Sequence, residues 1–302
     1  MKSGIAAIIV TYLAEKVLLD KCISSIIRQV DKVIVVDNTP ANIISDWSNL
    51  FAENHSVEWI PLNRNCGIAY AQNLGIKTAI DQGVAFIILS DQDTIFPENY
   101  TSSMLQFYKS NPRRERIAAI APVFRDINKG NIEPRVYFDG IFVKKDYSIK
   151  TCMNVANVIS SGMFVPTNVF EIIGYNNERL FIDWVDTEWC WRAIRKGFEI
   201  IQVPDIVINH RHGDFARKVL SKEITVHTSA IRRYFRLRNA IYLLFFEDLS
   251  VGMKLNLIHR IVVMIPLHLI VSKNKEGECL IMLTAMRDGL TKRMGGREIE
   301  KG

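Results

Sequence analysis

Four short runs rich in Val and Ile, at residues 5–10, 32–37, 57–62 and 85–91, recur through the N-terminal third of the chain. Between them, stretches 15–29, 40–53 and 67–82 carry helical spacing. This rhythm constrains the fold more than any other feature. Strands buried on both faces read as unbroken apolar runs, and alternation with helices requires crossover connections. The expected core is therefore a parallel sheet with helices on both faces.

Further along, the pattern predicts a strand at 117–124, an irregular hairpin at 136–145 and an apolar return at 155–166. A helix at 185–196 and an extended segment at 199–209 follow, and from about residue 221 the spacing is helical to the end. The reading is an α/β domain over 1–215 with a helical extension over 216–302. A hydrophobic share of 48% with 23% charged residues excludes a disordered or collagen-like chain.

The net charge of +6 is modest, but its distribution is uneven. Arg211, Arg217, Lys218, Lys222, Arg232, Arg233, Arg236 and Arg238 are opposed locally by Asp214 and Glu223 alone. Such a block favours phosphates or an acidic lipid surface, although a solvated helix face has the same composition. No nucleic-acid partner is expected. The five cysteines (Cys22, Cys66, Cys152, Cys190, Cys279) form no CxxC pair, which fits a reducing cytosol. The apolar start is too short for a signal peptide. The most apolar helix candidate, 255–272, is interrupted by His259, Arg260, Pro266 and His268. It reads either as a helix buried on the α/β domain or as one lying in a membrane interface.

An open parallel sheet binds its ligand beyond the carboxyl ends of its strands. There the sequence sets Val10-Thr11-Tyr12, Val36-Asp37-Asn38, the turn Asn63-Arg64-Asn65-Cys66-Gly67 and Ser90-Asp91-Gln92-Asp93-Thr94. Asp37 could accept from a nucleobase or ribose, and Arg64 beside a helix start could hold phosphate. Asp91 and Asp93 offer hard oxygen ligands of the kind Mg²⁺ or Mn²⁺ requires, although strand-end acids are also common turn residues. Asp183, Asp186 and Glu188 cluster at a helix start among Trp184, Trp189 and Trp191, as a general base near a sugar platform or as caps beside core aromatics. His210 ends an extended run and is a further candidate ligand.

In these motifs, taken in order, the chain resembles family 2 glycosyltransferases of the GT-A fold, in the bacterial rhamnosyltransferase branch. Asn65-x-Gly67 continues to Asn73-x-Gly75, and Ser160-Ser161-Gly162-Met163 precedes Asp183-x-x-Asp186-x-Glu188-Trp-Cys-x-Arg192. His210-x-x-Gly213-Asp214, Tyr234-Phe-x-x-Arg238-Asn239 and Asp288-Gly289-Leu290 complete the series. The resemblance implies a mixed, mainly parallel sheet. It places Thr11, Tyr12, Asp37, Arg64, Asn65 and Gly67 around the nucleotide, and a metal on Asp91 and Asp93, with His210 as a third ligand. Arg238 and Asn239 would touch phosphate or acceptor. Asp186 matches the base of an inverting transfer, with Glu188 its competitor. The segment lacks the adjacent Glu-Asp pair of the wider family, so Asp183 and Glu188 stay open as bases.

The branch further implies dTDP-L-rhamnose as donor and a lipid-linked saccharide as acceptor, in O-antigen or similar synthesis. The expected location is peripheral, on the cytoplasmic face of a bacterial plasma membrane. A same-fold enzyme using a UDP-hexose and a non-catalytic nucleotide-sugar-binding protein are the competing readings. A nucleotidyltransferase would carry a glycine-rich phosphate loop, and residues 5–16 have none.

Overall fold

The computed structural model describes residues 4–43, 56–126, 130–148, 150–210, 216–219, 222–225, 229–272 and 274–297, with backbone alone for 210, 216–219, 222–225 and 271. The helix expected at 40–53 falls mostly outside them. Strands β1 (Ile5–Thr11), β2 (Lys32–Asp37), β3 (Val57–Pro61) and β4 (Phe86–Asp91) pair in parallel, in the order β3-β2-β1-β4. Helices α1 (Lys16–Ile26) and α2 (Ile68–Asp81) lie among their connections.

Burial explains the unbroken runs. Alternate residues of β1 point to opposite faces: Ala6, Ile8 and Val10 join a core with Ala71, Ile76 and Ala79 of α2. Ile5, Ala7 and Ile9 join a second core with Leu19, Cys22 and Ile26 of α1. Gly75 sets the α2–β1 spacing, because a Cβ there would lie 2.4 Å from Ile8 Cγ2.

Beyond β4 the sheet departs from simple parallel order. It continues with β9 (Met163–Pro166), β5 (Ile117–Asp126), β10 (Glu199–His210) and β8 (Met153–Asn154). β9 runs antiparallel to both β4 and β5, and β10 runs parallel to β5. Six strands therefore share one direction and β9 and β8 oppose them. Helix α3 (Tyr100–Ser110) packs Tyr100 and Met104 under β5, and β6 (Arg135–Asp139) with β7 (Phe142–Asp146) forms the expected hairpin.

After the short α4 (Val169–Ile173) and α5 (Val185–Arg195), the chain is not helical from 221 as expected. A two-stranded ribbon, β11 (Ala216–Val219) and β12 (Lys222–Thr225), comes first. Helices α6 (Ala230–Phe246), α7 (Val251–Val271) and α8 (Lys275–Leu290) complete the fold. They bury a third core that includes Ala69, Leu180, Val185 and Trp191 of the α/β part.

Candidate active site

Parallel register brings the motif residues together. Thr11 pairs with Asp37 and Val10 with Asp91, so three strand ends lie side by side. Asp37 is buried, and its Oδ1 accepts from Thr11 Oγ1 at 3.0 Å and from the Thr39 amide at 3.1 Å. Its Oδ2 is buried without a hydrogen-bond partner. A buried polar oxygen in that state costs free energy until a donor reaches it. Tyr12 is exposed above it, its amide donating to Gln92 Oε1 at 2.8 Å and so tying β1 to the acidic turn.

The turn before α2 is organised by asparagine side chains. Asn38 Oδ1 accepts from the Cys66 amide at 2.7 Å, and Asn65 Oδ1 accepts from Gly67 N at 3.0 Å. Gly67 has φ +86°, and a Cβ there would lie 2.5 Å from Phe181 Cδ2, so only glycine fits. Arg64 is exposed at this turn, with its Nε toward Cys66 Sγ.

The carboxylates converge through two adjacent serines. Ser160 N donates to Asp186 Oδ2 at 3.1 Å, while Ser161 Oγ donates to Asp91 Oδ2. In sequence this Ser-Ser-Gly run stands out as a motif, with no role for either serine. Burial, then the negative charge of Asp91, pushes the Asp186 carboxyl up to about 7. Behind it a small cavity is lined mainly by Leu89, Met163, Val165, Phe170 and Trp189, which accounts for the desolvation. A carboxylate whose proton affinity is raised toward neutral pH, at a crevice, is matched in basicity to accept a proton.

Glu188 is placed differently. Both its oxygens are held by Arg192, at 2.8 and 2.9 Å, and that guanidinium also donates to the Ile173 and Tyr175 carbonyls. The pair ties α5 to the segment after α4. Glu188→Gln therefore leaves a half-buried arginine half paired, and we expect a loss of about 1–2 kcal/mol of stability. The kcat of the folded fraction should stay within a few-fold of wild type in a steady-state assay. A collapse of kcat without destabilisation would instead make Glu188 the base.

Asp91 and Asp93 provide hard oxygen donors at one strand end. Among the described residues no three of His, Cys, Asp and Glu assemble into a ligand cluster. Mg²⁺ in such sites takes one or two carboxylates and completes its shell with water and substrate phosphate, so the donor set fits that ion type. The backbone of His210 pairs with Asp126 at the end of β10; its side chain lies outside the described residues.

Residues 6–164, more than half of the chain, match the profile of glycosyl transferase family 2. The chain is also 38% identical over 247 residues to "dTDP-rhamnosyl transferase RfbF" of Shigella flexneri, covering 81% of each protein. It belongs to glycosyl transferase family 2. The "Low-salt glycan biosynthesis hexosyltransferase Agl10" of Haloferax volcanii is 26% identical over 69% of the chain and 68% of that protein. Among solved structures, GalNAc-T7 with UDP, GalNAc and Mn²⁺ matches at TM-score 0.62 and 11% identity, over 96% of this chain and 56% of that one. S. aureus TarS 1–349 with UDP-GlcNAc matches at 0.58 and 17%, over 96% and 81%. The architecture is GT-A.

In this family 2 glycosyltransferase, three sets of residues singled out in the sequence sit in other surroundings than expected. Arg238 and Asn239, expected at phosphate or acceptor, are both buried, and their polar atoms bond to each other and to backbone carbonyls of residues 179–183 and 295. Within the basic block, the side chains of Arg217, Lys218 and Lys222 lie outside the described residues, and two of the described arginines are paired. Arg232 pairs with Asp183 at 2.7 Å and Arg233 with Glu278 at 2.7 Å, both acids distant in sequence. Arg211 and Asp214 lie outside the described residues. Trp189 and Trp191 are core residues, Trp189 donating to the Gly174 carbonyl, so no sugar platform of three tryptophans forms.

Proposed function

We propose that this glycosyltransferase moves L-rhamnose from dTDP-L-rhamnose onto a lipid-linked saccharide in bacterial surface polysaccharide synthesis, with inversion. The observation that carries the chemistry is the Asp91–Ser161-Ser160–Asp186 link, which holds a desolvated carboxylate beside the strand-end acids. The relative named dTDP-rhamnosyl transferase supports the donor.

In this reading the nucleotide lies across the ends of β1 and β2. The unpartnered Asp37 Oδ2 accepts from a base or ribose donor, and exposed Tyr12 supplies a flat apolar face. Arg64, Asn65 and the amides at the start of α2 face the diphosphate. Asp91 and Asp93 would hold Mg²⁺ or Mn²⁺, which when bound would supply positive charge beside the departing diphosphate. Asp186 takes the proton of an acceptor hydroxyl as its oxygen attacks the anomeric carbon. The carbon–oxygen bond to the diphosphate breaks, and that electron pair leaves with dTDP. The test is dTDP, UDP or GDP release from dTDP-rhamnose, UDP-glucose, UDP-galactose and GDP-mannose. Rhamnose should exceed the rest by at least about tenfold in kcat/KM, a difference worth only ~1.4 kcal/mol of transition-state binding. Preference for a UDP-hexose would move the donor to the competing reading.

The same proposal places the enzyme peripherally on the cytoplasmic face of an anionic membrane, through α7. This helix is long and apolar enough to cross a bilayer, yet Met253, Leu257 and Ile261 bury one face against α6 and α8. Val251, Leu255, Ile258, Val262 and Ile270 form an exposed stripe on the opposite side. A helix apolar on both faces calls for cover on the second. The docked first face and the polar residues Lys254, His259 and Arg260 favour an interfacial position over a span. Ile258→Glu with Val262→Glu should abolish sedimentation with phosphatidylglycerol vesicles and leave the melting temperature unchanged. Undiminished sedimentation would remove α7 as the anchor.

A further inference from the structure

The segment that delivers Asp186 is held in an unfavourable backbone shape. Phe181, Asp183 and Trp184, none of them glycine, have φ of +66°, +60° and +68°, immediately before the first turn of α5. Such residues persist in the left-handed region only where their surroundings over-determine it.

Those surroundings come from the C-terminal helices. Asn239 Nδ2 faces three carbonyls at once, Leu180 at 2.9 Å, Ile182 at 2.8 Å and Asp183 at 3.0 Å. Arg238 donates to the carbonyls of Leu180 and Arg179, and to Asn239 Oδ1 through both Nε and Nη2, which fixes the amide orientation. Its Nη1 donates to the Gly295 carbonyl at 2.6 Å, and Gly295 N donates back to Arg179 O at 2.8 Å. Neighbouring residues of α6 grip the same loop. Arg232 pairs with the Asp183 carboxylate, Trp184 Nε1 donates to the Arg236 carbonyl at 3.0 Å, and the Phe181 ring stacks on Phe235.

We infer that Arg238 and Asn239 are positioning residues for the transfer step, clamping loop 179–184 so that Asp186 meets Ser160 and the strand-end acids. The inference rests on Asp186 being the base. It makes the C-terminal helices part of the catalytic apparatus, although none of their side chains named here touches the strand ends. A general base misplaced by an ångström loses most of its effect. The part of the nucleotide pocket on β1 and β2 rests on the parallel sheet, whereas the start of α2 meets the loop only at Phe181, through the close approach of Gly67 and the Ala69 amide.

Asn239→Asp tests this, since it keeps the shape but turns the donor toward three carbonyls into an acceptor. Turnover with dTDP-rhamnose and dTDP affinity by calorimetry are measured on the folded fraction, in wild-type and Asp186→Asn backgrounds. We expect kcat to fall about 100-fold with dTDP affinity within about threefold, and no further loss when the Asp186→Asn change is already present. Unchanged kcat per folded enzyme would reduce the clamp to a stability element. Equal losses in kcat and dTDP affinity would show that the loop serves the nucleotide site through Phe181 and overturn a role confined to the base, and multiplicative losses in the double variant would show that the pair acts apart from Asp186. If Asp186→Asn alone leaves turnover intact, the base assignment fails, and that outcome is separate. Should Asn239→Asp not fold, Arg238→Lys, which keeps the charge but loses the fork, is judged by the same outcomes.

Discussion

Asp186→Asn should lower kcat by about 10³-fold while leaving dTDP affinity nearly unchanged, because a positioned general base contributes roughly 10²–10⁴-fold. The amide oxygen can still accept from Ser160 N, so the loop and α5 have no reason to move. The same substitution should raise stability at pH 8. In the folded protein the carboxyl is pushed from 3.8 up to about 7, so between those values the native state holds a proton that the unfolded chain has released. Stability of the metal-free wild type therefore declines as pH rises through that window. The amide of the variant has no such proton to lose, which removes the decline. Asp186 keeps part of its surface open to solvent, which screens the penalty, so the expected gain is about 1–2 kcal/mol at pH 8. Chemical denaturation at pH 5 and pH 8 reads it directly. A variant that is inactive and also less stable at pH 8 would point to a structural Asp186.

Asp93→Ala is the second large effect. A metal that neutralises a departing diphosphate contributes several kcal/mol to the transition state, so losing one of its two carboxylates should cost about 100-fold or more in kcat/KM. Wild-type enzyme treated with a chelator should fall to the same floor, and the variant's residual rate should not respond to the chelator. Full activity of Asp93→Ala in chelator would exclude the metal site.

The sequence exposed what local patterning controls. β1, β2 and β4 were legible because burial on both faces demands unbroken apolar runs, and the strand-end motifs followed from parallel register. Helix α3 was missed because Tyr100–Ser110 is rich in Ser and Thr and buries only Tyr100, Thr101 and Met104. The insertion of β9 between β4 and β5 was invisible, since strand order is decided by pairing across long stretches of chain. The same holds for the basic run. Arg232 and Arg233 meet Asp183 and Glu278, which are 49 and 45 residues away. The ambiguity between Asp186 and Glu188 was resolvable in principle. Residues two apart on a helix do not share a face, and Arg192 stands four residues after Glu188, the spacing of a helical ion pair. The serines stand out as a motif but without a role, because their partners, Asp91 and Asp186, lie on other elements.

The central claim is a single displacement at the anomeric carbon with Asp186 taking the acceptor proton. Proton NMR of the product, recorded as dTDP-rhamnose is consumed, reports the configuration of the new linkage. The account predicts a product anomer opposite to that of the donor, formed without a detectable sugar–enzyme intermediate. A product with the donor's configuration would contradict it.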